Sequence, residues 1–387
     1  MRCIVPMFFL VLVCCCGTAG TVRAAPAPVL PRVVYGFDRE FPPFSFEEPG
    51  GKPVGFDVEL AEAVFKGRAH LVFRPLQWEM VPLELASGAV LVTSGMVRTQ
   101  QRTKTYAFSD KSTLLLQIRL FTKVYNRFPS VDFLRGQRVS VEQGSYAHRM
   151  LEDYRGFNIK PFKDKAGPVR ALQQDEVAAY CAPVPVGYYY INKLGYSGIT
   201  TMGTPLGFAE MRFAVNRSRG DVLKMVNEGL AELGASGEYD RIYRKWFVAD
   251  LNPGEESALQ KAAHDASRAA YAPYTRRLEG AAVLTATGKI YSGCTMDNAD
   301  KQLSVTAVTA AMSRAVSEGD IEIRAVLCVD QKGAVRTLSV QELQTVHEFG
   351  RGILVAGAAA DGRIATRMVG EVLPHPVLGT MPVLELE

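Results

Sequence analysis

The most suggestive side chains in this sequence are aromatic rings set where regular structure is forbidden. Phe41 and Phe44 stand in the stretch EFPPFSF, whose two prolines break any helix or central strand, so the rings are exposed unless they face something. Trp78 opens a short helical segment, and the polar segment 94–102 follows an apolar strand. Other reactive residue types offer less. The five histidines (His70, His148, His264, His347, His375) do not cluster, there is no Cys-x-x-Cys, and no zinc-ligand spacing is visible. No P-loop, internal repeat or Ser-His-Asp arrangement emerges. Of seven cysteines, Cys3, Cys14, Cys15 and Cys16 lie in the first 24 residues. The remaining three, Cys181, Cys294 and Cys328, are an odd number and no disulfide framework. Cys294 and Cys328 read as buried small apolar residues. Neither metal nor cofactor is expected.

The elements that must position these rings alternate in type. Residues 33–37 read as a strand ending at Asp38, and Asp57 as the N-cap of a helix with Leu60, Ala61 and Val64 on one face, stopped by Gly67. Strand 71–75, helix 78–86 and strand 89–93 follow. This alternation predicts a parallel sheet wrapped by helices, which binds ligands at the carboxyl ends of its strands. Phe41, Phe44, Trp78 and segment 94–102 all fall at those ends. Later, Asn252-Pro253-Gly254 marks a boundary. Beyond it come helix 259–270, a hairpin of strands 280–285 and 289–294 turning at Gly288, helix 304–316, strand 323–329, helix 340–349 and strand 353–356. This stretch is long enough to bury a core of its own.

Length and composition agree with two or three domains in 387 residues. Hydrophobic residues are 48% and charged residues 22%, which excludes a disordered or fibrous chain. A net charge of +4 is too balanced to imply nucleic acid as a partner. Arg2, the apolar run from Ile4 to Cys16 and Val22-Arg23-Ala24 predict a signal peptide over 1–24, cleaved before Ala25, and hence a periplasmic protein. The apolar run is shorter than the roughly 20 residues of a membrane-spanning helix. A lipoprotein is the lesser alternative, since no clean Leu-small-small-Cys precedes Cys14–Cys16.

The segments GFDREFPPFSF, PVGFDVELAEAV, SGMVRTQQRTKTYAFSD, VEQGS, ALQQDEVAAY and the closing FAVNRS…LAELGASGEYDRIYRKWF occur in one order. Together they resemble the bacterial extracellular solute-binding proteins of family 3, the receptors of polar amino-acid ABC transporters. The resemblance covers residues 30–250 and implies a two-lobed, type II periplasmic-binding-protein-like α/β fold. Lobe 1 would span about 30–121 and 215–250, lobe 2 about 122–214, with a two-stranded hinge between them and the ligand closed in the cleft. Helices 221–233 and 238–247 would pack on lobe 1. By the same resemblance, Arg102 pairs bidentately with the ligand carboxylate, work that suits a guanidinium. Thr99 and Ser145 assist it, and backbone N–H groups near Val97 and Ser145 complete the anion site. Phe41 and Trp78 sandwich the ligand side chain, and Asp38 lies near its distal end. The family aspartate that holds the α-ammonium is replaced by Ala178. Either Glu176 or Asp175 compensates, or the ligand is not an ordinary α-amino acid, or binding is lost.

After a linker at 251–256, residues 257–387 carry AYAPYTRRLEGAAVLTATGKIYSGCTMDNA, TAVTAAMSRAVSEG, EFG and LPH in order. This resembles the cytidine deaminases and implies an α/β/α domain. In that family three Cys or His side chains hold a zinc ion and a glutamate moves protons. Cys-Ala-Glu is replaced by Thr306-Ala307-Val308, and Pro-Cys-x-x-Cys by Leu338-Ser339-Val340-Gln341-Glu342. The hydroxyls of Thr306 and Ser339 cannot stand in for thiolates, Glu342 alone cannot hold zinc, and Val308 cannot carry a proton. Arg277 replaces the stacking aromatic, and Thr295 and Asp297 fall at the ribose positions. The expected function is periplasmic binding of a small carboxylate-bearing solute, an amino acid or a relative, for the membrane component of an ABC transporter. An inactive deaminase-like domain would serve ligand sensing or self-association into a homo-oligomer. The alternatives are an exported cytidine or nucleoside deaminase and a periplasmic sensor or scaffold.

Overall fold

The computed structural model describes residues 30–126, 128, 130–154, 156–358, 364–373 and 376–377; the expected export signal and His375 lie outside them. A nine-stranded sheet runs through the first module. Its order is Asn158–Phe162, Arg138–Glu142, Ala179–Pro183, Leu114–Lys123, Ile199–Asn216, Val92–Val97, Arg32–Asp38 and His70–Leu76, with Tyr106–Phe108 beside Ile199–Asn216. The two central strands, Leu114–Lys123 and Ile199–Asn216, are antiparallel, and their register breaks between Met202 and Gly207. On either side of that break lie the parallel strands of two lobes, wrapped by helices. This is the two-lobed α/β architecture expected. Helices Gly220–Ser236 and Glu238–Phe247 return to pack on helix Phe56–Phe65 of lobe 1.

Three local expectations are corrected. The stretch 40–46 is not irregular: Glu40–Phe41 pairs with Ser45–Glu47, which pairs with Pro53–Val54, and the prolines occupy the turn. That turn sends Phe44 into the core, with its ring 5.7 Å from Phe247 and 4.9 Å from Phe41. Asp57 is not the N-cap of its helix. Gly55 is, at φ 129°, where a Cβ would sit 2.1 Å from the Phe44 carbonyl oxygen. Asp57 therefore lies inside the first turn, buried. The helix after Asn252 begins at Pro253 and runs to Ser267, because Asn252 and Glu255 form a capping box, so residues 253–256 of the expected linker are helical.

The second module is a five-stranded sheet in the order Ile290–Cys294, Gly280–Thr285, Ile323–Val329, Leu354–Ala358, Ile364–Met368. Alternate residues of Gly280–Thr285 face opposite layers. Ala281 and Val283 pack with helices Ala307–Ser317 and Val340–His347, while Ala282 and Leu284 pack with helix Pro253–Ser267. The result is the expected α/β/α sandwich. Tyr243 and Val248, which precede the linker, and Leu251, its first residue, also pack against the Pro253–Ser267 layer.

Two clusters of charged contacts, among others, join the modules. Arg119, 1% exposed on the central strand at the register break, places Nη1 2.6 Å from Glu322 Oε1, and its Nη2 donates to the Gly203 carbonyl. Thr201 Oγ1 donates to the same Glu322 oxygen at 3.3 Å. On lobe 1, the Arg351 guanidinium pairs with Asp240 and lies 4.7 Å over the Tyr239 ring and 5.4 Å over the Tyr243 ring. Cys181 and Cys328 are buried thiols and Cys294 is partly buried, all free.

Candidate functional site

Strand ends deliver the predicted residues to the edges where the lobes face one another. Arg102 sits in the short helix Gln100–Thr105 that follows strand Val92–Val97. Thr99 caps this helix by accepting the Arg102 backbone N–H at 3.2 Å, which supports the arginine and leaves the Thr99 O–H as a donor. Val97 contributes an acceptor: its carbonyl takes Arg102 Nη1 at 2.9 Å. The guanidinium lies 5.7 Å over the Trp78 ring. Among the described residues, no carboxylate approaches Arg102 within 4 Å. Burial first, and then the charge of Arg149, push its pKa down to about 10. Arg149 belongs to lobe 2, on helix Tyr146–Tyr154, and likewise pairs with no carboxylate among the described residues. Two guanidiniums from opposite lobes thus repel one another with no anion to balance them.

Ser145 holds the start of that lobe 2 helix. Its Oγ accepts the His148 N–H at 3.1 Å, and its own N–H donates to the Glu142 carbonyl at 3.3 Å. The backbone N–H is therefore engaged within the loop, while the hydroxyl, used there as an acceptor, keeps its own O–H for a ligand. Asp38 is not a free acid either. Its Oδ2 is 2.7 Å from Nζ of Lys165, a lobe 2 residue, and its Oδ1 accepts the Glu40 N–H at 3.0 Å. Lys165 is 3.6 Å from Glu142 Oε1 and 4.9 Å over the Phe41 ring. Burial pushes the Glu142 carboxyl up against the pull of Lys165. Phe41 and Trp78 are thus each faced by a cation of the protein. Sequence reading missed Arg149 and Lys165. Nothing in the sequence separates Lys165 from Lys163 two residues earlier; only the fold carries it across to Asp38.

Ala178 is corrected outright. It lies at the amino end of strand Ala179–Pro183, with its N–H donating to the Arg138 carbonyl at 2.9 Å, whereas the cleft end of that strand is Pro183. Asp175 and Glu176 share the far end, paired with Lys123 at 2.6 Å and Lys160 at 2.5 Å. None of the three reaches the cleft.

In the second module Thr306 caps helix Ala307–Ser317 by accepting the Thr309 N–H at 3.2 Å, and Val308 is wholly buried in the core. Ser339 and Glu342 form the capping box of helix Val340–His347. Glu342 takes both Arg336 Nη groups, at 2.6 and 2.9 Å, and Arg336 also meets Glu279 at 2.8 Å. Burial would raise the Glu342 carboxyl, but Arg336 and the Ser339 N–H hold it below the usual carboxylate range. Asp297 accepts the Tyr274 and Thr275 N–H groups at 3.2 and 2.8 Å, the Thr275 N–H chiefly keeping its pKa low. Thr295 Oγ1 is buried without a partner and Arg277 is exposed. Among the described residues, no three His, Cys, Asp or Glu side chains are grouped to hold a metal ion. No helix among them is long and apolar enough to cross a membrane.

Both modules are similar to known proteins. Residues 237–341 match the cytidine and deoxycytidylate deaminase zinc-binding region. The L-cystine-binding protein TcyJ of Escherichia coli K12 is 26% identical over 227 residues, covering 57% of this chain and 84% of its own length. A probable histidine-binding protein of Neisseria gonorrhoeae is 28% identical, covering 61% of this chain and 90% of its own. Among solved structures, an ancestral arginine-binding protein bound to arginine is 28% identical with a TM-score of 0.51, covering 56% of this chain and 98% of that one. A histidine kinase sensor domain with similarity to periplasmic binding proteins is 25% identical, with a TM-score of 0.52 over 56% of this chain and 96% of that one. Residues 33–249, more than half of the chain, match the model of one family, and the protein belongs to it: the bacterial extracellular solute-binding proteins, family 3.

Proposed function

We propose that this chain is an exported receptor that binds a small carboxylate-bearing solute between its two lobes and presents it to the membrane component of an ABC transporter. The observation that carries the reading is Arg102, a half-buried guanidinium braced by Val97, Thr99 and Trp78 with no carboxylate partner among the described residues. A desolvated cation of this kind gains more from an incoming anion than a surface lysine would. The second module is read as a deaminase fold without the reaction. Thr306, Ser339 and Glu342 do not fit a zinc ion, since two are hydroxyls serving as helix caps and the third is saturated by Arg336 and Ser339. Exposed Tyr271, Tyr274, Met296 and Leu303 give this module an apolar surface that suits self-association.

The test is thermal shift on residues 25–387 with a panel of carboxylates: glutamate, 2-oxoglutarate, phenylalanine, phenylpyruvate and succinate. A solute at 100 times its dissociation constant adds about 2.7 kcal/mol. Arg102→Ala should abolish that stabilisation while leaving the ligand-free Tm unchanged or slightly raised, because an unpaired, desolvated cation is removed. A mutant that binds within a few-fold of wild type would refute the assignment.

A second reading, as a sensor or scaffold, is favoured by one contact. Glu322 of the second module grips Arg119 where the central strands change register, so lobe movement would reach the second module directly. Hydrogen exchange around 320–324 that changes on solute binding would support it. An exported nucleoside deaminase remains the enzymatic alternative; turnover of cytidine, with about one zinc per chain, would establish it over the receptor reading.

A further inference from the structure

The charges lining the cleft sort themselves by partner, and this bears on the class of solute. An α-amino acid needs two complementary sites, a cation for its carboxylate and an anion for its ammonium. Arg102 and Arg149 supply the first without protein carboxylates attached. The second is already filled. Lys165, whose side chain is 13% exposed, reaches from lobe 2 to Asp38 Oδ2 at 2.7 Å and Glu142 Oε1 at 3.6 Å, and its ammonium also covers the Phe41 face at 4.9 Å. Pro183, at the cleft end of its strand, has no carboxylate to add. Asp175 and Glu176 are paired with Lys123 and Lys160 at the far end, and Glu210 is paired with Arg212 at 2.7 Å. Glu79, the other acidic side chain whose charge reaches Glu142, is exposed to water beside Trp78.

We infer that the solute is a carboxylate without a free ammonium group — an oxo acid, a hydroxy acid or a dicarboxylate — because Lys165 occupies the acidic half of the cleft and Arg102, paired with no carboxylate among the described residues, is left for an anion. This rests on reading the cleft as the carboxylate site. An ammonium closed in beside Lys165 meets a like charge and must displace a buried lysine from two carboxylates, whereas a carbonyl or second carboxylate meets donors. Lys165 supplies from the protein the cation that an amino acid would bring with it.

Matched pairs test this on residues 25–387 by calorimetry: 2-oxoglutarate against glutamate, and phenylpyruvate against phenylalanine. In wild type the oxo acid of a pair should bind at least tenfold more tightly than its amino acid. Lys165→Met frees Asp38 and Glu142 and should shift that ratio at least tenfold toward the amino acid, while Lys165→Arg, which keeps the charge, should hold the wild-type order. A wild-type protein that binds an amino acid as tightly as its oxo counterpart overturns the inference, even if Lys165→Met fails to fold, and leaves Arg102 as carboxylate anchor intact. If no member of any pair binds, or if Arg102→Ala leaves binding unaltered, the carboxylate reading itself fails and the inference falls with it.

Discussion

Removing Glu322 is the sharpest perturbation of how the two modules are held together. Arg119 is almost wholly buried, and Glu322 Oε1, at 2.6 Å, is its carboxylate partner among the described residues. Glu322→Ala leaves the guanidinium with the carbonyls of Gly203 and Met202, and takes the acceptor from Thr201 Oγ1. Arg119 Nε already lacks a partner, so little slack remains for reorganisation. Breaking a buried pair from one side costs about 3–5 kcal/mol. The Glu322 side chain is 21% exposed, so water can reach the vacated position, and about 2–3 kcal/mol is the expected loss. Glu322→Gln keeps an acceptor but not the charge, and should cost about 1 kcal/mol. Arg119→Met combined with Glu322→Leu removes both charges together and should come within about 1 kcal/mol of wild type. Urea denaturation of residues 25–387, followed by Trp78 and Trp246 fluorescence, on wild type, Arg119→Met, Glu322→Leu and the variant with both gives all four corners of the double-mutant cycle. A coupling energy near zero, or a Glu322→Ala loss below about 0.5 kcal/mol, would show that the pair is a surface contact and that the modules are not joined there.

Two further outcomes follow from buried carboxylates. Burial pushes Asp57 up to about 8 from 3.8, so folding takes up a proton; the stability this gives is whole below about pH 4 and is lost as pH rises to about 8, at about 1.4 kcal/mol per unit. Asp57→Asn should therefore gain on wild type steadily between pH 5 and 8 and no further above that, and parallel pH profiles in urea denaturation would exclude it. Glu342→Ala strips Arg336 of its bidentate partner and leaves it Glu279 alone, so the second module should lose about 2–3 kcal/mol, while a chelator shifts the wild-type Tm by nothing; a chelator-sensitive Tm would contradict the capping-box account.

Fold and candidate site were legible to different depths. Strand ends, helix faces and the register of the second module follow from local alternation of apolar residues, as with Ala281 and Val283 against Ala282 and Leu284, and such patterns survive in a lone sequence. Arg102, Trp78 and Phe41 were found because they belong to a stretch of characteristic order. Arg149 and Lys165 were not, because their roles depend on a partner more than 40 positions away. Lys165 meets Asp38 across 127 residues of chain, and no local pattern encodes that distance. Ala178 was misplaced for a related reason: a strand read without its neighbours has no cleft end. Asp57 was read as a cap because its type suits one, yet the geometry of Gly55 decided the helix start.

Helix Glu238–Phe247 is claimed by both family matches, which overlap between residues 237 and 249. Tyr239 and Tyr243 set their ring edges against Phe56 of lobe 1 at 6.1 and 6.4 Å while Arg351 of the second module lies over both rings. The chain therefore has no place where scissors leave two finished proteins. A cut at Asn252, where the helix Pro253–Ser267 starts, would strand Tyr243, Val248 and Leu251 on one fragment and the layer they complete on the other. For an evolutionary event that joined a receptor to a deaminase fold, this helix is the seam. Once both partners had come to lean on it, either could be lost only together with part of the other.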